Sequence, residues 1–192
     1  MCNLRRILVL LALAALLLSG CGGAENLLTP AIEFRASLVQ AGGCSFTAKV
    51  TADDGEAVEE FTLRCASDET GAVRFEVAAP QTLAGITATV SADGGTITYD
   101  GMAMDFGLLA NGNVIPAAAP ALVVCCWRQE YLAAAGADET GYRATYEKGF
   151  DEKRLVVDCW FENGIPIYAE VCYNNQRVLK LELSDFKLTD GS

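Results

Sequence analysis

Residues 44–65 read CSFTAKVTADDGEAVEEFTLRC. Phe46, Ala48 and Val50 alternate with Ser45, Thr47 and Lys49, and beyond Asp54-Gly55 the same period of two returns with Phe61, Leu63 and Cys65 against Glu60, Thr62 and Arg64. Two alternating runs flanking Asp-Gly predict a β-hairpin with one apolar and one polar face. A two-residue turn at Asp54-Gly55 sets Phe46 opposite Leu63, Ala48 opposite Phe61, Thr47 opposite Thr62, Lys49 opposite Glu60 and Cys44 opposite Cys65. Apolar then meets apolar and charge meets counter-charge, pairs that contribute about 0.2 to 1 kcal/mol each. A slip of one residue would turn every apolar side chain to the wrong face.

The alternation continues downstream. Val73, Phe75 and Val77 predict a strand over 72–79, and Ile86, Ala88 and Val90 another over 86–91. Asp93-Gly94-Gly95 turns into Ile97 and Tyr99, and Asp100-Gly101 turns into Met102, Met104 and Phe106. These six segments predict an antiparallel meander. Between Gly107 and Gly141 the pattern breaks around Pro116 and Pro120, and residues 122–132 read as a helix ending before Gly136. Strands return over 142–148, 154–161, 166–173 and 178–188, with turns at Asn163-Gly164 and Asn174-Asn175. A three-residue loop at 174–176 pairs Val171 with Leu179, Ala169 with Leu181 and Glu170 with Lys180. Upstream of the first hairpin, Thr29-Pro30 reads as an N-cap and a proline at the first helical position, before an amphipathic run of Leu28, Ile32, Phe34, Leu38 and Val39 that Gly42-Gly43 ends. The expected fold is α+β and mostly β: a curved antiparallel sheet of about ten strands, an unclosed β-barrel or half-barrel, with an N-terminal helix and a central helical plug.

The N-terminus has the order of a signal peptide: Arg5 and Arg6, an apolar run from Ile7 to Leu18, then Leu18-Ser19-Gly20-Cys21. The apolar run is short of the roughly 20 residues that a spanning helix needs. Leu-Ser-Gly-Cys matches the bacterial lipobox, which implies cleavage before Cys21 and acylation of its thiol, so that residues 1–20 are the signal peptide, 21–26 the lipidated cysteine and a short tether, and 27–192 one domain. Two or three acyl chains suffice for stable anchoring on the extracytoplasmic face of a membrane, at about 0.8 kcal/mol per buried methylene.

Composition removes several function classes. The 192-residue chain has 14 Lys and Arg, 25 Asp and Glu and no histidine. Residues 1–20 carry two arginines and no acid, so the mature chain has 12 basic and 25 acidic residues and a net charge of -13. Nucleic acid needs clustered cations and is not an expected partner. Without histidine there is no Ser-His-Asp or Cys-His catalysis and no imidazole-ligated metal. No nucleophile constellation is visible, so an enzyme is not expected, and no cofactor or metal is.

Lipobox, amphipathic helix, six meandering strands, a helical plug and a proline-bearing hairpin together resemble the LolA and LolB lipoprotein carriers and the LppX-type lipoproteins. The nearest local likeness is GAVRFEVAAPQTLAGITATVSADGGTITYD over 71–100, notably Phe75-Glu76-Val77, Pro80 and Ile97-Thr98-Tyr99. The resemblance implies an apolar cavity under a helical lid that takes acyl chains; the lipid anchor departs from soluble LolA and is shared with LolB and the LppX type.

By parity, Phe46, Phe61, Leu63, Phe75, Val77, Ile86, Val90, Ile97, Tyr99, Met102, Met104 and Phe106 share the concave face, with Leu122 on the plug. They either line a ligand cavity or are core. Leu108 and Leu109, between glycines 107 and 112, read as a flap over the mouth or as a surface loop. Six cysteines follow the anchor, at 44, 65, 125, 126, 159 and 172. The hairpin register brings Cys44 to Cys65, as a disulfide worth roughly 3 kcal/mol in the chain-entropy model or as two buried thiols. Cys125-Cys126 reads as core, with a thiolate redox site near Arg128 the sharper alternative. The expected function is binding of a lipid or acyl chain in an apolar cavity, with lipid or lipoprotein transfer as its use. The alternative is a structural or assembly lipoprotein that docks an envelope protein.

Overall fold

The computed structural model describes residues 27–53, 58–91, 94–99, 102–106, 109–110, 113–149 and 154–189. The signal peptide, Cys21 and the tether lie outside these, as do both glycines and Leu108 of the expected flap. The elements are α1 (Thr29–Ala41), β1 (Cys44–Asp53), β2 (Val58–Ser67), β3 (Val73–Ala79), β4 (Thr87–Ser91), β5 (Gly94–Tyr99), β6 (Met102–Phe106), β7 (Leu109–Ala110), β8 (Asn113–Val114), α2 (Ala119–Arg128), β9 (Tyr131–Asp138), β10 (Gly141–Lys148), β11 (Leu155–Glu162), β12 (Ile165–Tyr173) and β13 (Gln176–Leu188).

Eleven strands form one antiparallel sheet in the order β6-β5-β4-β3-β2-β1-β13-β12-β11-β10-β9, and β7 with β8 makes a separate two-stranded ribbon. Two meanders, β1 to β6 and β9 to β13, are thus sewn together by β1 against β13, while β6 and β9 remain unpaired edges, so the curled sheet is an unclosed half-barrel. Helix α2 lies in its concavity, touching β2, β3, β4, β10 and β13. Every residue from Ala119 to Trp127 is buried, which accounts for a helix apolar on all sides. The Trp127 ring packs edge-on to Phe34, Phe46 and Phe186 at centroid distances of 5.5, 5.9 and 5.9 Å. No helix among the described residues is long and apolar enough to cross a membrane.

Several expectations are corrected. In the first hairpin Phe46 pairs with Cys65, Ala48 with Leu63 and Val50 with Phe61. The register is displaced by two because Asp53 pairs with Val58, leaving residues 54–57 between the strands rather than two. An even displacement preserves the faces, so the apolar set stays inside. Lys49 still reaches Glu60, now diagonally, at 3.0 Å. Cys44 does not oppose Cys65; its backbone N–H donates to the Ser67 hydroxyl at 2.9 Å. The last hairpin pairs Val171 with Leu179, Ala169 with Leu181 and Glu170 with Lys180 as expected, but a bulge at Val171/Cys172 shortens its loop to Asn174-Asn175.

The plug helix is shorter than expected, ending at Arg128, and Tyr131–Asp138 is a strand on the sheet edge rather than a continuation of the helix. Helix α1 is capped by Leu28 without a side-chain bond, with Thr29 already helical, and Gly42 ends it in the left-handed conformation at φ 78°. Its buried face is Ala31, Phe34 and Leu38; Ile32 and Val39 of the expected apolar stripe are each 50% exposed.

Candidate functional site

The pairings lay the concave face out in rows. One row runs Phe46, Cys65, Phe75, Ala88, Ile97, Met104 across β1 to β6, and a neighbouring one begins Ala48, Leu63, Val77. Towards the hairpin end of β2, Phe61 and then Glu59 follow on the same face at strand spacing. Above these rows two turns lean in: the 3-10 turn Gln81–Leu83 between β3 and β4, and the Pro116–Ala118 turn that leads into α2. Between sheet and turns is a cavity of about 220 Å³ lined by Phe61, Leu63, Phe75, Val77, Leu83, Ile86, Ile97, Ile115, Pro116 and Ala117, with Glu59 the one ionisable group among the described residues.

Of the residues picked out by parity, Phe61, Leu63, Phe75, Val77, Ile86 and Ile97 meet at this cavity. Phe46, Val90 and Leu122 do not; they are packed inside the core at 4%, 0% and 1% exposure. Met102 and Met104 lie on the edge strand β6 with 69% and 64% of their surface exposed. The side chains of Tyr99 and Phe106 are outside the described set. Leu83, Ile115 and Glu59 were not read from the sequence as site residues. The first two sit in irregular turns with no period to follow, whereas the parity of β2 already put Glu59 in line with Phe61.

A second, more open groove of about 480 Å³ runs between α1 and the far end of the β12–β13 hairpin, bounded by Pro30, Phe34, Ile165, Phe186 and Leu188.

The helices are held over the concave face by polar contacts at their ends. The Arg35 guanidinium donates to the carbonyls of Trp127 at 2.8 Å, Cys126 at 3.0 Å and Glu130 at 2.7 Å, at the C-terminal end of α2, where carbonyls run out of intrahelical partners. The Tyr142 hydroxyl accepts from the Ala31 N–H at 3.2 Å and donates to the Leu27 carbonyl at 2.7 Å, tying the start of α1 to β10.

All six described cysteines are free thiols, buried except for half-buried Cys172. Burial raises the thiol pKa of Cys44, Cys65, Cys125 and Cys126 and pushes Cys159 up to about 12. Cys125 faces Glu130 at 3.2 Å and Lys148 at 3.6 Å, while Arg128 is turned away to the Glu69 carbonyl at 2.6 Å. Burial and the Glu130 carboxylate outweigh Lys148, which favours the Cys125 thiolate, and the net shift is upward. A reactive thiol needs a lowered pKa, so Cys125 and the wholly buried Cys126 are core residues. Among the described residues no group of three or more Cys, Asp or Glu side chains is placed to hold a metal ion.

No protein-family model matches the chain, and no curated protein sequence matches it. Solved structures do. A LolA superfamily protein from Nitrosomonas europaea aligns at TM-score 0.46 and 12% identity over 83% of this chain and 94% of its own. A DUF1329 family protein from Desulfovibrio piger aligns at 0.49 and 8% over 88% and 95%, and LprF from Mycobacterium bovis at 0.34 and 12% over 84% and 96%. The chain is similar to these proteins in fold, that is, in how one curled sheet and its helices are arranged.

Proposed function

We propose that the chain is an extracytoplasmic lipoprotein, cut before Cys21 and anchored by acyl chains on that cysteine, whose half-barrel receives the acyl part of a lipid or lipoprotein. The observation that carries the reading is the cavity beside α2, whose described walls are apolar apart from Glu59 at its rim. A chain entering it would gain roughly 25 cal/mol for each Å² of apolar surface withdrawn from water. Phe61, Leu63, Phe75, Val77, Ile86 and Ile97 form the floor of the site, and the Ile115–Ala117 turn with the start of α2 forms the part that yields to a longer ligand. The lipobox and the resemblance to lipoprotein carriers support the same reading.

Native mass spectrometry of the chain from Gly22 onward, purified from an envelope without detergent, tests it. A stoichiometric lipid adduct that organic extraction releases is expected. An apo mass that stays unchanged after incubation with lipid would instead favour the second reading, docking of an envelope protein. That reading draws on the tight filling of the remaining concavity by Leu122, Trp127 and their neighbours.

A further inference from the structure

We infer that the cavity selects a single-chain amphiphile with a cationic head over one with a carboxylate, and that Glu59 is the residue that selects it. The inference rests on the acyl-binding reading of the same cavity and adds the head-group class.

The described interior of the cavity offers an alkyl chain apolar walls and offers a polar head no charged partner. A volume of about 220 Å³ lies below the roughly 300 to 1,000 Å³ of pockets for drug-sized ligands and has room for one extended chain. The head must therefore stay at the rim. Glu59 stands there, two residues beyond Phe61 on the concave face of β2 and, among the described residues, the one ionisable side chain in the lining. Its neighbour Glu60 faces the convex side and occupies Lys49 at 3.0 Å, so the adjacent base is already engaged. Among the described residues Glu59 itself has no ion pair. A carboxylate head would be brought against a like charge, and an ammonium head against its complement. Glu59 is exposed, so the effect is screened by salt.

The test compares decylammonium, decanoate and decanol as probes, below their aggregation concentrations, by titration calorimetry on the chain from Gly22 onward, which contains every described strand and helix. At about pH 8 the amine is charged and the acid ionised. In low salt decylammonium should bind about tenfold more tightly than decanoate, from attraction in one case and repulsion in the other, with decanol between them and the gap closing as salt rises. Glu59→Gln should reduce the gap to less than about twofold, and Glu59→Lys should reverse it. One substitution barely alters the net charge of -13 carried by residues 21–192, so a gap that persists in Glu59→Gln would reflect the whole acidic surface and overturn the assignment. Equal binding of all three probes overturns the head-group inference and leaves the acyl-binding reading standing. Binding of none overturns both. Urea unfolding of each variant, expected to match the parent because Glu59 is a rim residue, separates loss of selection from loss of fold.

Discussion

Replacing Arg35 by methionine tests how α2 is held in the concavity. The substitution keeps an apolar stem of similar length and removes the three hydrogen bonds to the carbonyls of Cys126, Trp127 and Glu130, together with the guanidinium that lies 5.7 Å from the Tyr146 ring centroid. Hydrogen bonds from a charged donor contribute about 1.5 kcal/mol or more each, so three set a scale near 4.5 kcal/mol. Arg35 is half-buried, and water that reaches the vacated carbonyls returns part of that; a loss of about 3 kcal/mol is expected. With a urea m-value of about 2 kcal/mol/M, the unfolding midpoint falls by about 1.5 M. Tryptophan fluorescence reports the transition, since Trp127 is wholly buried in the parent. A midpoint within about 0.3 M of the parent, with unchanged fluorescence, would refute the view that Arg35 fastens the plug.

Gly43→Ala should destabilise by at least the 1 to 3 kcal/mol or so typical of overpacking, because a Cβ there would run into the Ser67 carbonyl oxygen; a thermal melt checks it. Trp127→Ala should cost about 3 to 5 kcal/mol in urea unfolding by leaving a large void between the helices and β1. Thiol titration of the chain from Gly22 onward should find six thiols after denaturation and one fast-reacting thiol, Cys172, in the native state; a count of four would restore a cysteine pair. The Asp68 carboxylate is held below its ordinary pKa of 3.8 by the Thr70 hydroxyl and by nearby backbone N–H groups. Its contribution is present above that value and is lost as pH falls through the lower folded-state value, so Asp68→Asn should flatten the acid limb of a stability profile measured below about pH 4.

Which residues face inward could be read from the sequence because parity survives errors of register. The hairpin at 44–65 is displaced by two places, yet Phe46, Leu63 and Phe75 keep the expected face. Only the partner assignments changed, and with them the contact proposed for Cys44 and Cys65. Strand β9 went unread because Tyr131–Asp138 is dominated by alanine and glycine, residues without the β-branched or aromatic groups that mark a pleated surface. Its edge position also removes one of the two neighbours that would have disciplined its pattern. Burial, by contrast, depends on what lies above a strand, and no local period encodes that. Met102 and Met104 obey the same parity as Ile97 but stand in the open, whereas Val90 is sealed beneath α2. The cavity walls contributed by Leu83 and Ile115 come from turns, and their position follows from where the sheet curls.

The seam between β1 and β13 sets a condition on how this chain can be delivered. Thr47 and Asp185 touch across it although they are 138 residues apart in sequence, and a pairing of that span cannot form until nearly the whole domain has emerged. Non-local pairings of this kind slow folding. A chain that emerges N-terminus first would therefore wait, with the edge of β1 bare, for its last described strand to arrive. During that interval the edge of β1 is open to pairing with other chains, and a product truncated before Gln176 lacks the strand that covers it.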